Sequence, residues 1–509
     1  MRLKVGAKIK HKKYGFGKVL MVETRSDEIV VTVDFEEFGK KKMVVQNTSR
    51  QPPPNNKNPK KETRRQDAER ILQQGLSNPN ARFRQGQWEA IDALVNNQRR
   101  VLVVQRTGWG KSMVYFIATR IRRSQGHGLT LIISPLLALM RNQVAAAEKI
   151  KLKAATINST NQGAWSIIER QINSGKIDLL LVSPERFANE RFLENVLHAV
   201  SNRIGMLVID EAHCISDWGH DFRPDYRRIV DILKRLPQNL PVVGTTATAN
   251  DRVIKDIQHQ LGNIHIQRGP LTRDSLALQV LILPDQASRM AWLTEHIPKF
   301  SGTGIVYVLT KRDAKYVSEW LKSKGIDAHA YYSGIKDKQF KTSDDYRQYL
   351  EDKLLGNKIK VLVTTSALGM GYDKPDIEFV IHYQTPGSVI TYYQQVGRAG
   401  RGLSHASGVL LYGKEDADIN EYFRNNAFPS EEVVQNLLTF LRSRDGVTVT
   451  EIEQGLNLGK GGISKVLKYL SVQTPSPILK DGGKWYRTAV PFKLDNRSIE
   501  RLSRLRQEE

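Results

Sequence analysis

The feature that most constrains this 509-residue chain is a rhythm of short apolar runs, each followed by a stretch compatible with helix. Val101–Val104 and residues 130–133, 179–182, 206–209 and 242–243 are rich in leucine or β-branched side chains. Runs of this length without polar alternation mark strands covered on both faces. The expected product is a parallel sheet with crossover helices on its two sides. The rhythm then repeats at 304–308, 328–331, 361–364, 379–382 and 408–411. The chain is therefore predicted to be an α/β protein with two tandem lobes, placed at 67–265 and 266–425.

Composition changes on either side of these lobes. Residues 49–65 read SRQPPPNNKNPKKETRR, with no large apolar side chain, and predict a flexible basic linker over 49–66. The linker isolates residues 1–48, where IVVTVDF at 29–35 alternates like a strand and HKKYGFGKV at 11–19 carries a glycine turn. Several short strands in so few residues predict a small SH3-like β-barrel. After residue 426 the pattern becomes three short helices and a hairpin, ILKDGGKWYRT at 478–488, which describes a winged helix over 426–492. Residues 493–509 form a charged, helix-compatible tail.

The balance of 77 Lys and Arg against 53 Asp and Glu gives a net charge of +24. Residues 1–66 carry 17 basic and 7 acidic groups, so the front of the chain holds far more than its share. A polyanion is the natural partner, nucleic acid first, although a solvated basic surface satisfies the same numbers. No apolar run approaches the roughly 18 residues of a membrane span, and residues 1–10 lack a signal-like apolar core. Cys214 is the single cysteine, which forbids an internal disulfide and any multi-cysteine zinc site.

The densest chemistry follows the first strand. Val101–Val104 runs into Gln105-Arg106-Thr107-Gly108-Trp109-Gly110-Lys111-Ser112 and then into a helical segment. A strand, a glycine loop and a helix N-terminus set backbone N–H groups around phosphate oxygens. Lys111 is then placed for β- and γ-phosphates and the Ser112 hydroxyl for Mg²⁺. Gln105 stands where the strict pattern has its first glycine. A second apolar strand ends in Asp210-Glu211-Ala212-His213. There Asp210 is expected in the Mg²⁺ shell, with Glu211 orienting or activating the attacking water. In the second lobe, Gln394-Gln395-Val396-Gly397-Arg398-Ala399-Gly400-Arg401 supplies two arginines three apart, expected on one helical face. An arginine that reaches the γ-phosphate from a separate lobe stabilises transition-state charge.

With these motifs in place, residues 82–402 resemble superfamily 2 helicases, and within them the RecQ-type DNA helicases. The resemblance implies two RecA-like lobes and ATP-dependent unwinding of DNA, 3′→5′. Phe83-Arg84-Gln85-Gly86-Gln87 resembles the family's adenine-reading motif, which implies that Arg84 and Gln87 contact the base; the family often has an aromatic where this chain has Asn80. Ser134-Pro135-Leu136-Leu137-Ala138-Leu139-Met140 and Ser183-Pro184-Glu185-Arg186 resemble strand-contacting loops. Thr246-Ala247-Thr248-Ala249 resembles the motif that couples ATP state to lobe closure. Gly369-Met370-Gly371-Tyr372-Asp373-Lys374-Pro375 resembles a second-lobe nucleotide and DNA motif, implying ATP contacts for Gly371 and Asp373. Residues 214–226, CISDWGHDFRPDY, are similar to the RecQ aromatic-rich loop. They imply DNA contacts for Trp218, His220, Phe222 and Arg223, since aromatic side chains stack on bases and arginine meets phosphate.

The chain departs from the family between the second lobe and the winged helix. RecQ enzymes commonly carry a four-cysteine zinc module there, whereas residues 403–428 hold no cysteine. No zinc is therefore expected at that place; ATP and Mg²⁺ are the expected cofactors. In the winged helix, Lys465, Lys468 and Trp485 are the expected DNA contacts. The front barrel resembles Tudor-like modules of bacterial repair helicases, which implies a protein partner or additional DNA contact. Expected partners are single-stranded and forked DNA, with no membrane, in a cytoplasmic, nucleoid-associated setting for a bacterial-type chain and a nuclear one for a eukaryotic chain. An RNA helicase with the same motor, and an ATP-gated DNA adaptor that does not unwind, remain open at this point.

Overall fold

The computed structural model describes residues 8–11, 15–25, 28–36, 39–46, 63–135, 137–158, 161–189, 192–193, 197, 200–216, 224–237, 239–369, 372–425, 430–473 and 475–492. Two compact units divide the chain, Met1–Glu62 and Thr63–Glu509.

The first unit is an antiparallel meander of β1 (Lys8–His11), β2 (Gly15–Arg25), β3 (Glu28–Phe35) and β4 (Gly39–Gln46). Val31, Val33 and Phe35 alternate along β3 and are buried, together with Val19 across the ladder. That period of two is the alternation visible in the sequence, with the other face left polar.

In the second unit, β5 (Val101–Val104), β6 (Leu129–Ile133), β7 (Ala154–Ile157), β8 (Leu179–Val182), β9 (Ile204–Asp210), β10 (Val242–Thr246) and β11 (His265–Arg268) form one parallel sheet. Its order is β11-β5-β10-β9-β6-β8-β7. Every residue of β5, β6, β8, β9 and β10 is buried, as their unbroken apolar runs require. β11 pairs along β5, with His265 opposite Val101, so the first sheet ends at Arg268. The lobe division expected after residue 265 falls inside this strand. Its sequence, HIQR, hid it, because an edge strand with exposed ends lacks the apolar run of its neighbours.

A second parallel sheet follows, with order β12-β17-β16-β13-β15-β14. It comprises β12 (Leu276–Ile282), β13 (Thr303–Tyr307), β14 (Ala328–Tyr331), β15 (Val361–Thr364), β16 (Ile377–His382) and β17 (Ala406–Tyr412). Arg289 is fully buried against it and donates to Tyr383 O at 2.8 Å and to Asp416 at 3.0 Å. A buried cation is tolerable only when paired in this way.

The C-terminal part contains helices Glu431–Arg442, Val449–Leu456 and Lys460–Ser471 and a hairpin of β18 (Ile478–Asp481) and β19 (Lys484–Arg487). Val434, Leu437, Leu441, Ile452, Ile463 and Leu467 close their common core. Ser430 and Thr448 cap the first two helices, the latter in a capping box with Glu451. Among the described residues no helix is long and apolar enough to cross a membrane.

Candidate nucleotide cleft between two lobes

Sheet order decides where the motifs meet. β10 lies between β5 and β9, so the segments that leave the C-terminal ends of these three strands are neighbours. They carry the glycine loop, Asp210-Glu211 and Thr246–Ala249. In open α/β sheets this is the edge where ligands sit.

The loop opens the helix Lys111–Ser124 with Gly108 at φ +75° and Gly110 at φ +93°, backbone that side chains with a Cβ rarely adopt. Gly108 is constrained twice, since a Cβ there would lie 3.2 Å from Cγ of Arg401. Lys111 folds back on its own loop, donating to the carbonyls of Gln105 at 2.8 Å and Arg106 at 3.4 Å. Burial lowers its pKa to about 8, with Arg401 lowering it further and Glu211 and Asp210 opposing. Gln87 donates to the Trp109 carbonyl at 2.9 Å, and Arg84 donates to that of Gly108. Both expected adenine readers therefore also brace the loop.

Asp210, 8% exposed, accepts at Oδ1 from Thr245 Oγ1 at 2.6 Å and at Oδ2 from Gln143 Nε2 at 2.8 Å. Tyr226 donates to its carbonyl at 3.0 Å. Burial raises the Asp210 pKa, and the Thr245 bond, Lys111 and the Gln143 bond oppose that rise. Glu211 takes φ +51°, uncommon for a residue with a Cβ, and its Oε2 lies 3.3 Å from His213 Nδ1. The same His213 nitrogen is 2.9 Å from Thr246 Oγ1, which links the acidic box to the Thr246–Ala249 segment. Burial, then Asp210, push the Tyr115 hydroxyl well above its usual range, and Ser112 and the Gln143 bond oppose that rise.

The second lobe meets this edge of the first through Arg401, Arg273 and Gln394. Arg401 lies against Gly108 and donates to Asp373 Oδ1 at 2.6 Å. Arg273 Nη2 donates to Thr107 O and Thr107 Oγ1, both at 2.9 Å, and to Gly397 O at 3.0 Å, while its Nη1 donates to Ala399 O. Gln394 Nε2 is 3.4 Å from Thr248 Oγ1. Arg398 is buried within its own lobe and donates to Tyr372 O at 3.1 Å. The expectation that Arg398 and Arg401 share a helical face is corrected: the helix Val389–Val396 stops at Gly397, and both arginines lie in the turns beyond it. Gly400 at φ +66° keeps the helix from resuming.

Trp218, His220, Phe222, Arg223 and Gly371 lie outside the described residues. Lys465 and Lys468 are exposed on the helix Lys460–Ser471, and Lys468 Nζ stands 3.5 Å from Asp225 Oδ2 on the helix Pro224–Arg235. Trp485 packs on the C-terminal core, its backbone paired with Val447 and its ring under Lys480.

Known proteins resemble this chain in sequence and in fold. The DEAD/DEAH box helicase family matches residues 84–257, the helicase conserved C-terminal domain 288–402 and the PcrA/UvrD tudor domain 5–47. The probable ATP-dependent DNA helicase RecS of Bacillus subtilis is 32% identical over 370 residues, 71% of each chain. The ATP-dependent DNA helicase RecQ of the same organism is 34% identical over 364 residues, 70% of this chain and 58% of that protein. The chain belongs to the RecQ family. It spans little more than half the length of several RecQ relatives, 52% for that of Haemophilus influenzae. In fold, this RecQ-family chain is similar to Mycobacterium smegmatis helicase Lhr, solved with ssDNA and AMP-PNP, with a TM-score of 0.55, 18% identity and coverage of 82% of this chain and 60% of that one.

Four residues of the cleft were missed by sequence reasoning: Tyr115, Gln143, Thr245 and Arg273. Gln143 had a signal, being an amide on the otherwise apolar stripe of Met140, Val144 and Ala147. Arg273 had none, because its partners are backbone carbonyls over a hundred residues away.

Proposed function

We propose that this RecQ-family chain is an ATP- and Mg²⁺-dependent DNA helicase that moves 3′→5′ on single-stranded DNA and opens the duplex ahead. The observation that carries it is the contact of Arg401 and Arg273, from one lobe, with the phosphate loop of the other. A cleft of this kind responds to nucleotide by changing how the lobes meet.

In this scheme Lys111 leaves the Gln105 and Arg106 carbonyls for the β- and γ-phosphates, and Arg401 exchanges Asp373 for the γ-phosphate. Ser112 and Asp210 offer the hard oxygen donors that suit Mg²⁺, in a buried setting where Gln143 Oε1 has no hydrogen-bond partner among the described residues. Bound there, Mg²⁺ neutralises charge on the phosphates. Glu211, fixed beside His213, orients the attacking water. Arg84 and Gln87 read adenine, with Gly371 and Asp373 completing the nucleotide contacts. The loop of Trp218, His220, Phe222 and Arg223 couples DNA to hydrolysis. The C-terminal helices and hairpin act as a winged helix that holds duplex through Lys465, Lys468 and Trp485. The front unit binds a partner protein or adds grip on DNA.

Lys111→Ala is expected to abolish DNA-stimulated ATP hydrolysis while single-strand binding persists; retained hydrolysis overturns the site assignment. Unwinding of tailed duplexes of both polarities, in DNA and in RNA, tests substrate and direction. Stimulation by RNA alone, or ATP-dependent binding without unwinding, replaces the helicase reading with one of its two rivals.

A further inference from the structure

The helix Leu137–Lys149 buries Met140, Gln143 and Ala147 along one stripe, with Val144 partly covered beside them. A leucine would fill the Gln143 position as well as an amide does. Instead both amide hydrogens are committed at the same point: Nε2 donates to Asp210 Oδ2 and to the Tyr115 hydroxyl, each at 2.8 Å. Gln143 thus ties Asp210, expected to hold the metal, to Tyr115 on the helix whose first turn carries Ser112. Because a carboxylate only accepts, the amide nitrogen must face Asp210, which turns Oε1 away. That oxygen is buried and unpaired among the described residues, and a buried acceptor of this kind calls for a donor.

The same helix touches two other regions. It begins inside the Ser134–Met140 segment that resembles a strand-contacting loop. Two residues before Gln143, Arg141 Nη1 donates to Gln348 Oε1 at 2.8 Å, on the helix Ser343–Leu355 of the second lobe. A shift of this helix therefore moves Gln143 against Asp210 and Tyr115.

We propose that Gln143 is a positioning residue of the metal–nucleotide site: it sets the spacing between Asp210 and the helix that carries Tyr115 and Ser112, and carries the state of the 134–140 loop to that site. The inference rests on the nucleotide-site reading above.

The test uses the full chain and a fluorescent non-hydrolysable ATP analogue titrated with Mg²⁺, so that no turnover is needed. Outer partners of metal ligands commonly contribute 10- to 100-fold in metal affinity, so Gln143→Leu is expected to raise the half-saturating Mg²⁺ about tenfold or more. It is also expected to lower the factor by which single-stranded DNA stimulates ATP hydrolysis, under conditions where the variant remains folded. Gln143→Glu sets a second carboxylate against Asp210, so below about pH 8 its half-saturating Mg²⁺ depends on pH more steeply than that of the parent. Tyr115→Phe removes only the second acceptor of the Gln143 amide, leaves its bond to Asp210, and gives a smaller rise. Should Gln143→Leu fail to fold, the other two variants decide. Parental Mg²⁺ dependence in the folded variants overturns the inference. If Lys111→Ala still hydrolyses ATP, the nucleotide-site reading falls; if it is inactive while Gln143→Leu behaves as parent, only the role of Gln143 falls.

Discussion

The two walls of the cleft are built on opposite plans. On the first-lobe wall, Asp210 is buried and held by Thr245, Gln143 and, at its carbonyl, Tyr226. On the second-lobe wall, Arg401 is held mainly by Asp373, whose side chain is 68% exposed. Buried, fully bonded groups keep one geometry, whereas a solvent-facing ion pair is worth only about 0–1 kcal/mol and yields to a stronger anion. In the proposed cycle, one wall is set before nucleotide arrives and the other is free to be captured by it. Arg398 sharpens the contrast, since the same residue type three positions earlier is buried on the Tyr372 carbonyl.

The largest effect is expected from removing the movable charge. Trans-lobe arginines contribute on the order of 10³–10⁵ in rate, so Arg401→Ala should lower the single-turnover hydrolysis rate by about 10³ or more. Binding of a non-hydrolysable analogue should change far less, because the first wall is intact. Comparable losses in both would mean that Arg401 builds the ground-state site.

Arg273 comes next. It donates to Thr107 on one side and to Gly397 and Ala399 on the other, which takes a planar fork of donors. Burial, then Arg401 and Arg106, lower its pKa to about 10, so it remains charged at neutral pH. Arg273→Lys keeps the charge but not the fork. About one of these bonds is lost, worth about 1.5–3 kcal/mol to a charged group, so a fall in DNA-stimulated kcat of about 10- to 100-fold is expected. A lysine variant with parental kcat would show that charge alone suffices.

A third variant attacks the rigid wall without changing shape. Thr245→Val removes the 2.6 Å bond to the buried Asp210 carboxylate and leaves it short of a donor. The expected loss is about 1–3 kcal/mol of stability, measured by denaturant unfolding, with a parallel rise in the Mg²⁺ requirement. An unchanged midpoint would mean that Gln143 and the Glu211 amide already suffice.

The pH dependence separates the walls in another way. Burial lowers the Lys111 pKa to about 8. A triphosphate needs the ammonium form, so binding favours protonation. Below about pH 8 the affinity is flat with respect to this group, and above it falls by up to about tenfold per unit. Lys111→Arg keeps its proton throughout and should flatten the profile of analogue binding; a parental profile would assign the titration elsewhere.

What the sequence revealed and what it hid divide along the same line as the walls. Val101–Val104, the glycine loop and Asp210-Glu211 were legible because each is a local constraint: a buried strand must be apolar, and a phosphate loop must be glycine-rich. The edge strand β11 was not, because an edge carries no obligation to be apolar on both faces, whereas β12, LALQVLI, is apolar and was missed without that excuse. Gln143, Thr245 and Arg273 acquire their roles from partners that only the fold brings near. The spacing of Arg398 and Arg401 suggested equivalence, and the helix stop at Gly397 removed it.

The smallest effect should come from cutting the tether itself. Asp373→Asn keeps the shape of the side chain but removes the negative charge facing Arg401. The pair is exposed, so stability should change by less than about 1 kcal/mol. If Asp373 only parks Arg401 while the cleft is empty, the variant releases a competitor of the γ-phosphate, and hydrolysis without DNA should rise, by about twofold for a pair of this strength. If Asp373 also contacts bound nucleotide, as its motif implies, analogue binding should weaken instead. A rise in DNA-independent hydrolysis with unchanged analogue affinity leaves the two-wall contrast standing. A fall in both would make Asp373 part of the site and Arg401 less free than its exposed partner suggests.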